Sequence, residues 1–195
     1  MHARRVLLLI DFQRDFLADD GRMPIARNQL EPLIAGANTA IAEARARGLP
    51  IVAIGNEFAP TDRVMNLLRR YAAVAGSPGA AWDERVPQNG AAYFAKTRGD
   101  AFSNERLRRH LAELGAEEVV LAGVMAKACV TATAKGALRE GLKVRVAADA
   151  VADTSDRAKT NALRKLAAMP GVVVEPTLES NRAARDDLHP VRREA

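Results

Sequence analysis

The most constraining feature of this 195-residue sequence is a regular alternation of short apolar runs with longer segments of helical periodicity. The first run is apolar from Val6 to Ile10, as expected of a strand buried on both faces of a sheet. Further strands are predicted at 49–54, 91–95, 118–122, 142–147 and 171–174. Helices are predicted at 28–47, 61–75, 103–114 and 126–140, and from 154 or 155 to 169.

This order of elements predicts an α/β fold: a mainly parallel sheet with helices on both faces. A length near 200 residues favours a single domain, and the sequence contains neither an internal repeat nor a linker. We therefore expect one domain over 1–195, in which the polar segment 177–195 is a peripheral tail. In sheets of this kind the active site lies beyond the carboxyl ends of the strands.

Composition excludes several classes of function. The 29 basic and 24 acidic residues give a net charge of +5, but the densest basic cluster, 106–110, lies on a helix whose leucines face a core. Aromatic residues make up only 4%, which leaves few stacking platforms, so we expect no nucleic-acid partner. The first apolar run is too short for a secretory core or a membrane helix. A single cysteine excludes an internal disulfide. Together these features predict a cytoplasmic protein with no membrane partner.

Three polar residues stand at predicted strand ends. Asp11 closes the first strand, Lys96 follows the third, and Cys129 lies in the first turn of the helix after the fourth. Each alone has an ordinary explanation: an aspartate that caps a turn, a surface lysine, or a cysteine packed in an apolar helix. Because all three follow separate strands of one parallel sheet, we expect them to converge at one edge.

Their convergence predicts nucleophilic catalysis. Cys129 would attack a carbonyl carbon, while Asp11 would take the thiol proton and return it to the leaving amine. Lys96 would stabilise the negative charge. The start of a helix favours the thiolate and offers backbone N–H groups to an oxyanion. The three histidines, at positions 2, 110 and 189, are too far apart in sequence to suggest a metal cluster.

The ordered motifs of this chain resemble those of the isochorismatase-like cysteine hydrolases, which include nicotinamidases and N-carbamoylsarcosine amidase. The matching segments, in order and spacing over roughly residues 5–175, are 9–16, the loop 76–79 followed by Trp82, 94–102, 121–134 and 149–153. The resemblance implies a six-stranded, three-layer α/β fold. It also carries a catalytic triad onto Asp11, Lys96 and Cys129.

Three further expectations rest on this resemblance alone. The peptide bond between Val124 and Met125 is expected to be cis. The backbone N–H groups of Met125 and Cys129 are expected to form the oxyanion hole. Family members are often oligomers, so a homo-oligomer is expected.

The sequence departs from the family pattern at two points. Ala126 stands where a threonine is common, which affects the expected geometry of the nucleophile loop. The metal motif of nicotinamidase-like members is also missing, because the second strand is followed by Gly55-Asn-Glu-Phe58 without a histidine. Glu57 alone would be a poor site, since a metal ion needs several ligands. We therefore predict no metal and no cofactor, and disfavour a nicotinamidase.

The thiol favours hydrolysis of a C–N bond through an acyl-enzyme, with a small amide, ureide or carbamoyl compound as substrate. The candidate substrate-binding residues are Phe16, Asn56, Glu57, Phe58, Trp82 and Tyr93, which lie on or near loops beyond strand ends. Packing at the rim and solvated turns are the alternative roles of these residues. Arg98 either binds a carboxylate or is an exposed loop residue. Two alternative functions on the same fold are a vinyl-ether hydrolase and a non-catalytic binding protein.

Overall fold

The computed structural model of the protein describes residues 4–88 and 90–177. Its centre is a six-stranded sheet in the order β3-β2-β1-β4-β5-β6, in which every strand pairing is parallel. The strands are β1 Arg5–Ile10, β2 Ile51–Asn56, β3 Ala92–Lys96, β4 Glu118–Gly123, β5 Lys143–Val151 and β6 Val172–Glu175. The predicted parallel α/β sheet is confirmed. The predicted peripheral tail lies outside the described residues, except for its first residue, Thr177.

Helices cover both faces of the sheet. They are α1 Arg14–Leu17, α2 Leu30–Ala46, α3 Arg63–Leu68, α4 Glu105–Glu113, α5 Thr131–Arg139 and α6 Asp156–Ala167. The side chains of β1 alternate between the two resulting cores. Val6, Leu8 and Ile10 belong to the core that contains the buried residues of α4, α5 and α6, whereas Leu7 and Leu9 belong to the core under α2. This double burial explains why the sequence of β1 has no polar face.

The order of the strands creates a topological switch point between β1 and β4. From β1 the chain proceeds outward through β2 to β3, and then returns to the other side of β1 for β4, β5 and β6. The connections that follow β1 and β4 therefore leave the sheet in opposite directions, which opens a crevice at their carboxyl ends. Asp11 and Cys129 both lie on these connections.

The segment predicted as a helix at 61–75 is helical only in α3. Asp62, rather than Thr61, is the N-cap, and its carboxylate accepts a hydrogen bond from the Met65 N–H. The helix ends because Arg70 and Tyr71 adopt left-handed φ angles of 52° and 59°. The chain then runs back to the sheet.

Helix α2 lies unusually close to strand β5. Gly36 is buried in α2, and a Cβ atom at this position would overlap the backbone carbonyl of Asp149 in β5. Glycine is a poor helix former, so its presence mid-helix reflects this close approach. None of the helices formed by residues 4–88 and 90–177 is both long and apolar enough to cross a membrane.

We predict that Gly36→Ala destabilises the fold by about 1–3 kcal/mol, because the added methyl group meets backbone atoms that cannot move aside. Its better helix propensity offsets only about 1 kcal/mol of this cost. Chemical denaturation measures the free energy of unfolding. Ala35→Ser, at an exposed position of the same helix, is the matched control. A Gly36→Ala variant as stable as wild type would contradict the close packing.

Candidate active site

The carboxyl ends of three neighbouring strands carry polar side chains that meet at one point. Asp11 follows β1, Asn56 ends β2 and Lys96 ends β3. Asn56 and Lys96 are paired in register across the two strands. Asp11 adopts a left-handed φ of 58°, and its N–H donates to the carbonyl of Ile54 at 2.7 Å.

A buried ion pair joins the first and third of these residues. Lys96 Nζ lies 2.9 Å from Asp11 Oδ2, and the two side chains are 0% and 1% exposed. The same ammonium donates to Asn56 Oδ1 at 2.7 Å and to Cys129 Sγ at 3.4 Å. The three residues predicted from strand ends are thus brought together. Asp11 Oδ1 is buried without a hydrogen-bond partner among the described residues.

Asn56 bridges the pair because β2 lies between β1 and β3. Its amide nitrogen donates to Asp11 Oδ2 at 2.8 Å and to Cys129 Sγ at 3.7 Å. Gln13 fixes the backbone of Asn56 by accepting from its N–H and donating to its carbonyl, both at 2.8 Å. Asn56 is therefore part of the hydrogen-bond network around the thiol, in addition to lining the cavity next to it.

The loop after β4 presents Cys129 to this network. The Val124–Met125 peptide bond is cis, as the family resemblance implied. Residues Ala126–Val130 form a π-helical turn that continues directly into α5. Gly123 precedes this loop with a φ of 134°, where a Cβ atom would overlap the carbonyl of Ile10, so only glycine fits.

Asp153 anchors the nucleophile turn to the end of β5. This carboxylate is fully buried, and its Oδ2 accepts from the N–H of Lys127 at 2.7 Å. The N–H of Ala126 donates to the carbonyl of Ala152 at 2.9 Å, and the Thr131 hydroxyl donates to the carbonyl of Ala126. These bonds hold the turn although Ala126 itself offers no hydroxyl.

Burial and the neighbouring charges set the protonation states of the site. Desolvation, followed by the Asp11 carboxylate, raises the pKa of the Cys129 thiol to about 12, although the Lys96 ammonium partly opposes both. Desolvation also raises the pKa of Asp11 above 3.8, although Lys96 opposes this shift. For Lys96 burial favours the neutral amine, but Asp11 outweighs it and the pKa is raised. With this raised pKa the thiol is protonated near neutral pH, so burial and Asp11 outweigh any effect of the helix start that favours the thiolate.

A cavity of about 210 Å³ opens onto the thiol. Three of the predicted substrate-binding residues line it: Phe16, Asn56 and Phe58. Its remaining lining residues are Asp11, Met23, Arg69, Ala72, Arg98, Gly99, Val124, Met125, Ala128 and Cys129. The cavity is smaller than the roughly 300–1,000 Å³ typical of drug-sized ligands, which suits a small molecule.

The other three predicted substrate-binding residues do not line this cavity. Trp82 packs against Phe12, and its indole N–H donates to the carbonyl of Val86. Tyr93 lies on the edge strand β3, where its hydroxyl donates to Glu57 at 2.8 Å. The side chains of Glu57 and Tyr93 thus bind each other.

Several residues of the site or its support were not singled out from the sequence, among them Gln13, Met23, Arg69 and Ala72. Gln13 lies two residues after Asp11, so its proximity to the strand end was a usable signal. Arg69 and Ala72 lie within the helix predicted at 61–75, so the sequence did not indicate their position at the cavity wall.

Residues 4–88 and 90–177 contain no group of three or more histidine, cysteine, aspartate or glutamate side chains that could hold a metal ion. Of the three histidines, only His110 is described, and its ring packs against Phe94 at 5.3 Å between centroids.

Comparison with known proteins agrees with this geometry. A family model described as the isochorismatase domain matches residues 5–176, which is most of the chain. The chain belongs to the isochorismatase family. An isochorismatase-like hydrolase from Alkaliphilus metalliredigens superposes with a TM-score of 0.81 at 26% identity, covering 93% of this chain and 100% of that one.

The chain is also similar to two proteins with other descriptions. N-carbamoylsarcosine amidase from Thermoplasma acidophilum superposes with a TM-score of 0.75 at 25% identity, covering 89% of this chain and 96% of that one. A secreted isochorismatase effector from Verticillium dahliae is 28% identical over 148 residues, which cover 76% of this chain and 72% of the relative.

We predict that Asp11→Asn accelerates alkylation of Cys129 by iodoacetamide at pH 8. Loss of the carboxylate removes a negative charge that raises the pKa of the thiol, so the thiolate fraction should rise by about tenfold or more. Mass spectrometry of the intact protein measures the rate. Asp19→Asn, at an exposed carboxylate paired with Arg27, is the control and should alkylate at the wild-type rate. Slower alkylation in Asp11→Asn would contradict this account of the thiol.

Proposed function

We propose that this protein is a cysteine amidohydrolase that cleaves a C–N bond in a small amide, ureide or carbamoyl compound through an acyl-enzyme on Cys129. The observation that carries the proposal is the contact of a thiol, a carboxylate and an ammonium at one end of a small cavity. The similarity to a carbamoylsarcosine amidase supports the assignment to C–N bonds.

Acylation begins with a protonated thiol. Asp11 takes the proton from Cys129 as the sulfur attacks the carbonyl carbon of the substrate, which forms a C–S bond and a tetrahedral oxyanion. The raised pKa of Asp11 makes it a stronger base than an ordinary carboxylate. Its buried Oδ1, which has no hydrogen-bond partner among the described residues, is available to receive the proton.

The oxyanion is bound by the backbone N–H groups of Met125 and Cys129, both of which line the cavity. Met125 directly precedes the π-helical turn Ala126–Val130, and Cys129 lies within that turn. Backbone donors held in a hydrogen-bonded turn need no reorganisation when the charge develops.

Collapse of the intermediate breaks the C–N bond. Asp11, now protonated, gives its proton to the nitrogen, which leaves as ammonia or an amine, and the acyl group remains on sulfur as a thioester. Water then attacks the thioester while Asp11 accepts a proton from it. Cleavage of the C–S bond releases the acid, and the sulfur recovers its proton from Asp11.

Lys96 is positively charged in the resting site, because the Asp11 carboxylate raises its pKa against the effect of burial. Its ammonium contacts both Asp11 Oδ2 and Cys129 Sγ, so it stabilises negative charge on either atom as the proton moves between them. Asn56 supplies further donors to the same two atoms.

We predict that Cys129→Ala abolishes ammonia release from a panel of amides, ureides and carbamoyl compounds, while the fold is retained because alanine suits a helix. Asp11→Asn and Lys96→Met should each lower kcat roughly 10³-fold or more, since the three residues act as a unit. Steady-state ammonia assays and thermal unfolding measure the two effects. Asp19→Asn and Lys165→Met, at exposed side chains away from the cavity, are the matched controls for charge.

Each other outcome of this experiment points to a different function. Turnover that survives in Cys129→Ala would reject the nucleophile and favour a vinyl-ether hydrolase on the same fold. A loss below about tenfold in Asp11→Asn or Lys96→Met would reject their shared role. Wild-type protein that turns over no compound of the panel would favour a non-catalytic binding protein.

We also predict the pH dependence of kcat/KM. Activity requires ionised Asp11, whose pKa is raised by burial, so the rate should fall on the acid side with an apparent pKa above 3.8. Because the pKa of the thiol is raised to about 12, no further rise should appear near 9.0, where an ordinary thiol ionises. Rates measured from about pH 4 to pH 10 test both limbs. A rate that increases through pH 9 would instead mean that thiolate formation limits catalysis.

A further inference from the structure

The cavity contains two arginines in addition to the groups assigned to the chemistry. Arg69 follows α3 and Arg98 follows β3, so they approach the cavity from different connections. Both line the same cavity as Cys129. The rest of its wall is mainly apolar, with Phe16, Phe58 and smaller side chains.

These arginines leave the cavity with an excess of positive charge. The carboxylate of Asp11 is already paired with Lys96, and the thiol is protonated at rest. Among the described residues, neither Arg69 nor Arg98 forms an ion pair or donates a side-chain hydrogen bond. Two guanidinium groups beside an apolar pocket create a potential that attracts an anion.

Arg69 is held in position by an aromatic ring. Its guanidinium carbon lies 3.8 Å from the centroid of Phe58, a cation–π contact. Phe58 itself follows β2, and its backbone N–H and carbonyl bond to Ala73 and Ala75 at 2.9 Å each. A guanidinium held in this way loses little side-chain entropy when it binds a ligand.

The wall that carries Arg69 is fixed to the interior of the protein. The N–H of Ala73 donates to the buried carboxylate of Asp15 at 2.7 Å. Arg70, Tyr71 and Ala73 all adopt left-handed φ angles, which are uncommon for residues other than glycine. Such a conformation is costly and is maintained here by the hydrogen bonds around it.

We propose that Arg69 and Arg98 bind a carboxylate group of the substrate, so that the enzyme selects anionic amides or ureides over neutral ones of the same shape. The planar fork of a guanidinium matches the two oxygens of a carboxylate. This inference rests on the proposed function for the position of the scissile bond, because the carboxylate occupies the arginine side of the cavity while the C–N bond lies at Cys129.

Binding and turnover are measured separately to test this proposal. In the Cys129→Ala background, which holds ligands without cleaving them, calorimetry compares three carboxylates with their carboxamide counterparts. The pairs are N-carbamoylglycine and N-carbamoylglycinamide, N-carbamoyl-β-alanine and its amide, and succinamate and succinamide. For at least one pair we expect the carboxylate to bind about tenfold or more tightly, which corresponds to about 1.4 kcal/mol.

Arginine variants in the same background identify the source of the preference. Arg69→Gln and Arg98→Gln should each reduce the affinity for the carboxylate toward that for the carboxamide and leave carboxamide binding unchanged. Arg63→Gln removes the same charge from an exposed position on α3 that does not line the cavity, and should change neither. Thermal unfolding verifies that each variant is folded.

The outcomes separate this proposal from the proposed function. Equal affinity for both members of every pair, or a preference that both arginine variants retain, overturns the carboxylate site. If tighter binding of the carboxylates depends on the arginines but the wild-type protein, which retains Cys129, releases no ammonia, the carboxylate site is supported and the hydrolase is rejected. Ammonia release that is equally fast from the neutral and anionic members supports the hydrolase and rejects the carboxylate site.

Discussion

The buried ion pair between Lys96 and Asp11 is the interaction on which the site depends. Removing two charges from water costs several kcal/mol for each ion, and a buried pair is often less stable than apolar residues of the same size. Both side chains are almost fully buried, and hydrogen bonds to Asn56 satisfy only part of their capacity. A pair that does not favour stability, placed against a thiol at the end of a cavity, is best explained by chemistry.

Sheet topology decides which residues can take part in this interaction. Asp11 and Cys129 lie on either side of the switch point between β1 and β4, but Lys96 comes from the edge strand β3. Strand β2 separates Lys96 from Asp11, and the Asn56 amide fills the intervening position while its backbone is fixed by Gln13. The position of Asn56 between Asp11 and Lys96 is thus a consequence of strand order, as are the positions of Asp11 and Lys96.

Much of this arrangement could be predicted from the sequence. Short apolar runs that alternate with helical segments indicate buried strands in a parallel sheet. The convergence of Asp11, Lys96 and Cys129 followed from their positions at strand ends. The end of the helix in the segment 61–75 could not be predicted, since the left-handed φ angles that follow it occur in a segment held by tertiary hydrogen bonds, such as that from Ala73 to Asp15. The raised pKa of the thiol could not be predicted for a similar reason: the helix start was visible in the sequence, but desolvation was not. The substrate, the oligomeric state and the cellular location stay predictions.

The raised pKa values of Cys129 and Asp11 connect the protonation state of the resting site with the charge of the cavity. A permanent thiolate beside Lys96 would compete with Asp11 for the same ammonium and would be open to oxidation and alkylation. With the proton on sulfur, Lys96 and Asp11 form a neutral unit, and the nucleophile arises only when a carbonyl carbon is positioned to accept the sulfur. The cavity then presents no net negative charge to an incoming ligand, while Arg69 and Arg98 add positive charge at its wall. In the proposed mechanism, the protonated resting state that precedes attack by the thiol is therefore also the state to which an anionic substrate would bind.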